Sequence, residues 1–206
     1  MKTYAIISGG DYAPMPGIDR ADFIIACDRG CEHAARFGVV PDVVIGDFDS
    51  FCGELPSGAK IIRLPVEKDD TDTVGALRIA LSEGADKVEM YCVEGGRPDH
   101  FVGNIQAAAF AAGSGVCVKM HGEAATYCVL PRGTYEFPRK KGFFSLFSLS
   151  GSLSSVTLSG AKYTLENATL TSLFPLGVSN EWESEKITLS FSDGVALVIE
   201  SEGEEV

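Results

Sequence analysis

The sequence is short of positive charge, of histidine and of long apolar runs. Lys and Arg number 17 against 29 Asp and Glu, a formal net charge of −12. That balance repels phosphate backbones and anionic lipid, so neither nucleic acid nor membrane is expected as a partner. No apolar stretch nears the roughly 18 residues that cross a bilayer. The apolar part of residues 1–10 is too short for a signal peptide and reads as a first β-strand. Gly-x-x-x-x-Gly-Lys-Ser/Thr does not occur, which excludes a P-loop, and no Gly-x-Gly-x-x-Gly follows the first strand, which disfavours a dinucleotide enzyme. The six cysteines form no Cys-x-x-Cys pair, and the three histidines have no zinc-ligand spacing with them. Cysteines inside apolar runs, such as Cys27 and Cys92, read as reduced, buried thiols of a cytoplasmic protein.

What is present is 206 residues with 45% hydrophobic and 22% charged side chains, enough for a core without disulfide or metal staples. Two grammars divide the chain. In the first half, strand patterns at 4–8, 23–27, 43–46, 60–64, 87–93 and 116–120 alternate with helical patterns at 30–37, 71–82 and 99–112. Gly38, Gly84 and Gly113 are placed to cap the helix ends. Such alternation predicts βαβ units and a mainly parallel sheet. From about residue 126, period-2 patterns take over at 134–137, 143–149, 155–158, 186–191 and 195–199, and Pro131-Arg132-Gly133 and Ser192-Asp193-Gly194 read as hairpin turns. The expected architecture is an α/β domain, a mainly parallel sheet over residues 1–123, followed by a small all-β sandwich over 124–206. A sandwich of that size is marginal alone, so it should lean on the first half or on a second copy.

Twelve of the thirteen aspartates lie at or before position 99, so acidic chemistry belongs to the first half. The strongest signal is Pro41-Asp42-Val43-Val44-Ile45-Gly46-Asp47-Phe48-Asp49-Ser50, an apolar strand ending in Asp-x-Asp. Residues two apart on extended chain face one side, so both carboxylates can converge on one hard cation, and all-oxygen ligands suit Mg²⁺. A surface turn with two solvated acids is the plain alternative for that motif alone. Three further clusters follow strands. Lys68-Asp69-Asp70-Thr71-Asp72-Thr73 opens the second helix, where Asp69 or Asp70 could simply cap it. Glu94-Gly95-Gly96-Arg97-Pro98-Asp99-His100 opens the third, with glycines for close backbone approach and Arg97 as a planar fork for phosphate. Asp28 ends the second strand. Acids at successive strand ends plus Arg97 point to a metal–polyphosphate site. In the second half, Gly177-Val178-Ser179-Asn180-Glu181-Trp182 holds the one tryptophan, readable as a core anchor or as a platform for a flat organic ring.

Four of these stretches, in order and over most of the chain, resemble the bacterial thiamine pyrophosphokinase family: 41–50, 68–73 with Ala76-Leu77, 95–100 with Asn104, and 177–182. One position departs, Arg29, where the family usually has a small residue. The resemblance implies pyrophosphate transfer from ATP to the thiamine hydroxyl, giving thiamine diphosphate and AMP. It also implies a Mg²⁺ requirement and a homodimer with its site between subunits. Carried onto this sequence, Asp47, Asp49, Asp69 and Asp72 hold metal. Asp99 orients or deprotonates the hydroxyl. Arg97 and His100 hold phosphate with Gly95 and Asn104 in support, and Asp28 belongs with both the catalytic and the nucleotide-binding groups. Ser179 and Asn180 bond the aminopyrimidine edge, and Trp182 lies against a thiamine ring. Two other readings stay open: a haloacid-dehalogenase-like phosphatase and a non-catalytic nucleotide or metal sensor. The phosphatase wants Thr or Val two residues past the second Asp, where this chain has Ser50-Phe51 after Asp49.

Overall fold

The computed structural model describes residues 1–48, 55–65 and 70–203. Asp49 and Asp69 therefore lie outside the described residues.

The chain opens with β1 (Thr3–Ile7), β2 (Phe23–Cys27), α1 (Gly30–Phe37), β3 (Val43–Gly46) and β4 (Lys60–Arg63). It continues with α2 (Asp72–Ser82), β5 (Lys87–Tyr91), α3 (Pro98–Gly113) and β6 (Cys117–His121). The second half is all strand: β7 (Ala125–Leu130), β8 (Gly133–Pro138), β9 (Phe143–Ser148), β10 (Ser152–Ser159), β11 (Leu165–Thr171), β12 (Gly177–Asn180), β13 (Lys186–Phe191) and β14 (Ala196–Ser201).

The first sheet is mixed, so the mainly parallel expectation holds only in part. Six parallel strands in the order β4-β3-β2-β1-β5-β6 are continued by β7, β14, β9 and β12, all antiparallel. A second, antiparallel sheet, β11-β10-β13-β8, covers that extension. The sandwich thus borrows one layer from the α/β sheet, and this is how so short a sequence builds one. Neither Pro131-Arg132-Gly133 nor Ser192-Asp193-Gly194 is a hairpin turn. Each carries the chain from one sheet to the other, because β7 pairs with β6 and β14 while β8 pairs with β13. The left-handed residues after α1 and α2 are Gly38 and Gly84 as the pattern implies, but after α3 it is Gly115, with Gly113 the last helical residue.

Two cores flank the parallel strands. On one face Ile6, Ile25, Ile45, Val88 and Met90 meet the buried sides of α2 and α3 (Ala76, Leu77, Ala80, Ala108, Ala111). On the other, Ala5, Ile7, Ala26 and Val44 meet α1 together with Met15 and Ile18. α1 approaches β1 so closely that a Cβ on Gly30 would stand 2.1 Å from the Ile7 carbonyl oxygen. The third core fills the sandwich around Phe144, Leu153, Ile187 and Trp182. The chain runs outward from β1 to β4 and returns to β5 on the other side of β1. This reversal makes the carboxyl ends of β1 and β5 a topological switch point, where open α/β sheets bind ligands.

Candidate active site

A cleft of about 690 Å³ lies over those carboxyl ends. It is lined by Asp28 after β2, Asp47 after β3, Thr71 to Thr73 at the start of α2, and Gly95, Arg97, Asp99, His100 and Asn104 around the start of α3. The structure therefore brings together, from four separate segments, the described members of the metal, phosphate and catalytic sets: Asp28, Asp47, Asp72, Gly95, Arg97, Asp99, His100 and Asn104.

The strand ends are bent to do this. Asp28, Phe48 and Cys92 follow β2, β3 and β5, and each holds a positive φ of 44°, 59° and 52°. A non-glycine residue there costs on the order of 1–3 kcal/mol and persists only where the surroundings fix it. The Asp28 N–H donates to the Ile45 carbonyl at 2.8 Å, and the Gly10 N–H donates to the Cys92 carbonyl at 3.0 Å. Arg29, the departure from the family pattern, has helical φ and ψ of −56° and −21° as the N-cap of α1. No glycine is required there, so the backbone accepts the larger residue.

Thr71 is the N-cap of α2, its hydroxyl accepting from the Val74 N–H at 3.3 Å. The expectation that Asp69 or Asp70 caps is thereby corrected. Asp70 instead accepts from Arg78 Nε at 3.0 Å, on the surface. With capping assigned to Thr71, Asp72 is left in the first turn and lines the cleft. Asn104 Nδ2 donates to the Val93 carbonyl at 3.0 Å, tying α3 to the end of β5.

Arg97 and Asp99 bond to each other, Nε to Oδ1 at 3.1 Å, and both are well exposed at the cleft mouth. The Arg97 guanidinium holds the Asp99 carboxyl below the usual carboxylate range. Asp99 is thus ionised throughout the neutral range, an acceptor able to orient a hydroxyl but a weak base.

The cleft also takes in residues that the sequence reading did not single out. Ser8 ends the first strand pattern and is followed by Gly9-Gly10-Asp11, a strand–glycine pair–acid signal of the same kind as at Glu94. Its hydroxyl is buried without a hydrogen-bond partner among the described residues. Among the described residues no three His, Cys, Asp or Glu side chains are grouped to hold a metal ion.

Ser179, Asn180 and Trp182 do not line this cleft. Asn180 is buried, with Oδ1 accepting from Tyr163 N at 2.9 Å and Glu181 N at 3.0 Å and Nδ2 donating to the Tyr163 carbonyl at 2.7 Å. Within this chain its amide braces the backbone around Tyr163. Trp182 is 6% exposed, edge-on to Phe144, with Nε1 donating to the Phe137 carbonyl at 3.2 Å. It is packed as a member of the sandwich core and reaches the surface only at the edge of a small recess beside Lys140 and Glu200. Ser179 remains exposed, at φ 57° in the bulge of β12.

Comparison with known proteins extends the picture beyond the cleft. Residues 17–118 match the family model for the thiamin pyrophosphokinase catalytic domain, and residues 134–196 that for the thiamin pyrophosphokinase vitamin B1 binding domain. The thiamine pyrophosphokinase of Bacillus subtilis (strain 168) is 30% identical over 212 residues, covering 98% of this chain and 99% of that one. A crystal structure of the B. subtilis protein superposes with a TM-score of 0.86 at 28% identity, covering 98% of this chain and all of that one. That of the Geobacillus thermodenitrificans enzyme gives 0.81 at 27% identity, covering 98% and 99%.

Proposed function

We propose a mechanism from the premise that the chain belongs to the thiamine pyrophosphokinase family. It is an enzyme that transfers the pyrophosphoryl group of ATP to thiamine, giving thiamine diphosphate. The observation that supports the residue assignment is the convergence of three strand-end or helix-start acids with Arg97, Asp99 and His100 on one cleft. The thiamine hydroxyl oxygen bonds to the β-phosphorus and gives up its proton to solvent, the bond from that phosphorus to the oxygen bridging the α- and β-phosphates breaks, and AMP leaves with that oxygen. Such transfer needs alignment and charge neutralisation more than covalent help. Asp99 orients the attacking hydroxyl as an ionised acceptor. Arg97 and His100 bind phosphate oxygens, with Gly95 allowing close backbone approach. Asn104 keeps α3 seated on β5. Asp28 lies at the nucleotide side of the cleft, its backbone fixed by Ile45.

Magnesium fits the donor chemistry, since the acids here offer hard carboxylate oxygens. Asp47 and Asp72 would hold it, with Asp49 and Asp69 from outside the described residues. Bound there it neutralises triphosphate charge. The division of labour falls at the turn between β6 and β7, residues 1–123 handling nucleotide and 124–206 supporting thiamine. Four of the five described cysteines are buried, which favours a reducing, cytoplasmic compartment. Among the described residues no helix is long and apolar enough to cross a membrane.

The acting unit is a homodimer. Leu173, Phe174 and Leu176 on the segment joining β11 to β12, and Val178 on β12, are 93%, 67%, 56% and 47% exposed. A contiguous apolar run of this kind on an acidic protein is a surface to be covered, and a second copy covers it while bringing the exposed Ser179 toward a neighbouring cleft. Sedimentation at micromolar concentration should report about twice the 21.9 kDa chain mass. A fully active monomer would contradict the dimer. For the reaction itself, AMP release from ATP should depend on added thiamine. Thiamine-independent release of inorganic phosphate would instead support the phosphatase reading.

A further inference from the structure

Arg97 and Asp99 stand after Gly95 and Gly96, whose φ values are 88° and 65°. Glycines bring no side chain to fasten such a loop, and the Arg97 side chain makes no capping bond to α3, pairing only with the equally exposed Asp99. Something outside the loop must therefore fix it. Glu94 is the first residue before the glycines, and it is tied on both sides. Its backbone carbonyl accepts from the Asp11 N–H at 2.7 Å, joining it to the segment after β1. Its carboxylate leaves the cleft and reaches the second half of the chain. Oε2 accepts from the Glu123 N–H at 2.7 Å, and Oε1 accepts from the Tyr127 hydroxyl. The carboxylate occupies the space beside Gly122 so closely that a Cβ there would stand 2.3 Å from Oε1. Tyr127 also packs its ring edge-on against Phe101 of α3, centroids 5.2 Å apart. One tyrosine of β7 thus holds the active-site segment on both sides of Arg97 and Asp99, through Glu94 before them and Phe101 after them.

We propose that Glu94 and Tyr127 are positioning residues for the transfer, setting through the Gly95-Gly96 loop where Arg97 and Asp99 stand. The proposal rests on the roles given to those two residues above. Both bonds to the carboxylate are charge-assisted and the one from Tyr127 is also partly buried, the class of hydrogen bond with the largest effect when removed. Burial and the adjacent carboxylate push the Tyr127 phenol up, so it remains a donor at any ordinary assay pH. Because β7 is shared by the ten-stranded sheet and the sandwich, the same pair couples the nucleotide cleft to the thiamine-supporting half.

Tyr127→Phe keeps the ring on Phe101 and removes only the hydroxyl. It should lower kcat about 10-fold, with KM for ATP and for thiamine within about threefold of wild type. Glu94→Gln, which keeps an oxygen for the phenol, should retain more activity than Glu94→Ala, and Glu94→Ala with Tyr127→Phe should be no worse than Glu94→Ala alone. Melting temperatures measured on every variant separate these losses from unfolding. An unchanged kcat in Tyr127→Phe, a change in KM alone, or additive losses in the double variant would overturn the proposal. Arg97→Ala, assayed alongside, tests the underlying reading separately. If it is fully active, the role of Arg97 fails; if it is impaired while Tyr127→Phe and Glu94→Ala are not, only the positioning inference fails.

Discussion

Asp47→Asn is expected to lower kcat by at least about 10²-fold while leaving the melting temperature within a few degrees. Asp47 follows β3 at the floor of the cleft, where the strand's parallel pairing with β2 and β4 sets its position. Asparagine has the same shape, so that frame survives. What changes is the charge. Under the proposed assignment Asp47 would help hold the cation that offsets triphosphate charge, and the neutral amide would weaken that hold. The half-saturating Mg²⁺ concentration should therefore rise together with the fall in kcat, and excess Mg²⁺ should restore part of the rate. Initial rates over a Mg²⁺ titration, with circular dichroism as a fold control, check this. Near-normal activity at limiting Mg²⁺ would remove Asp47 from the metal set.

The first half was legible because its signals are local. Each strand is a short apolar run, each helix carries a cap or a breaker, and ligand-facing residues occur at strand ends, where an acid or a glycine interrupts the apolar run. Asp28, Asp47 and Arg97 are all read that way, and the cleft gathers them. The capping error at α2 has an equally local cause. Asp70, Thr71 and Asp72 are each good caps by residue type, and only the backbone angles at Thr71, φ −76° and ψ 159°, decide among them.

The second half was less legible because its elements answer to distant partners. β7 has a core on both faces, Cys128 and Leu130 toward the sandwich and Val129 toward α3, so the alternation that marks a half-buried strand is absent. β11 and β12 are edge strands with one buried residue each, Leu170 and Asn180, too few to make a pattern. Glu94 was quoted only as the start of a glycine loop. Its partners, Glu123 and Tyr127, lie about thirty residues on, and no spacing rule connects them. Asn180 and Trp182 mislead for a related reason. A polar and an aromatic residue beside an exposed segment have the composition of a binding site, and the same composition serves to close a small core.

Trp182→Ala is accordingly expected to act on stability. A buried tryptophan truncated to alanine costs about 3–5 kcal/mol, through lost apolar area and the cavity left behind. Two further losses apply here. The Phe137 carbonyl, which accepts from Trp182 Nε1 at 3.2 Å, loses its side-chain donor in a buried setting, and the edge-on contact with Phe144 at 5.6 Å disappears. Phe144 also meets Phe137 at 5.1 Å, so the three rings form one cluster between the sheets. At about 2–4 °C per kcal/mol for a chain of this size, the melting temperature should fall by roughly 6–20 °C. Trp182→Phe retains ring volume without the N–H and should fall between the two. In whatever fraction remains folded, thiamine KM should stay near wild type, because the ring is almost wholly engaged in the sandwich core. Thermal melting beside thiamine and ATP titrations reads both quantities. A melting temperature close to wild type with thiamine binding weakened tenfold or more would restore Trp182 to the substrate side.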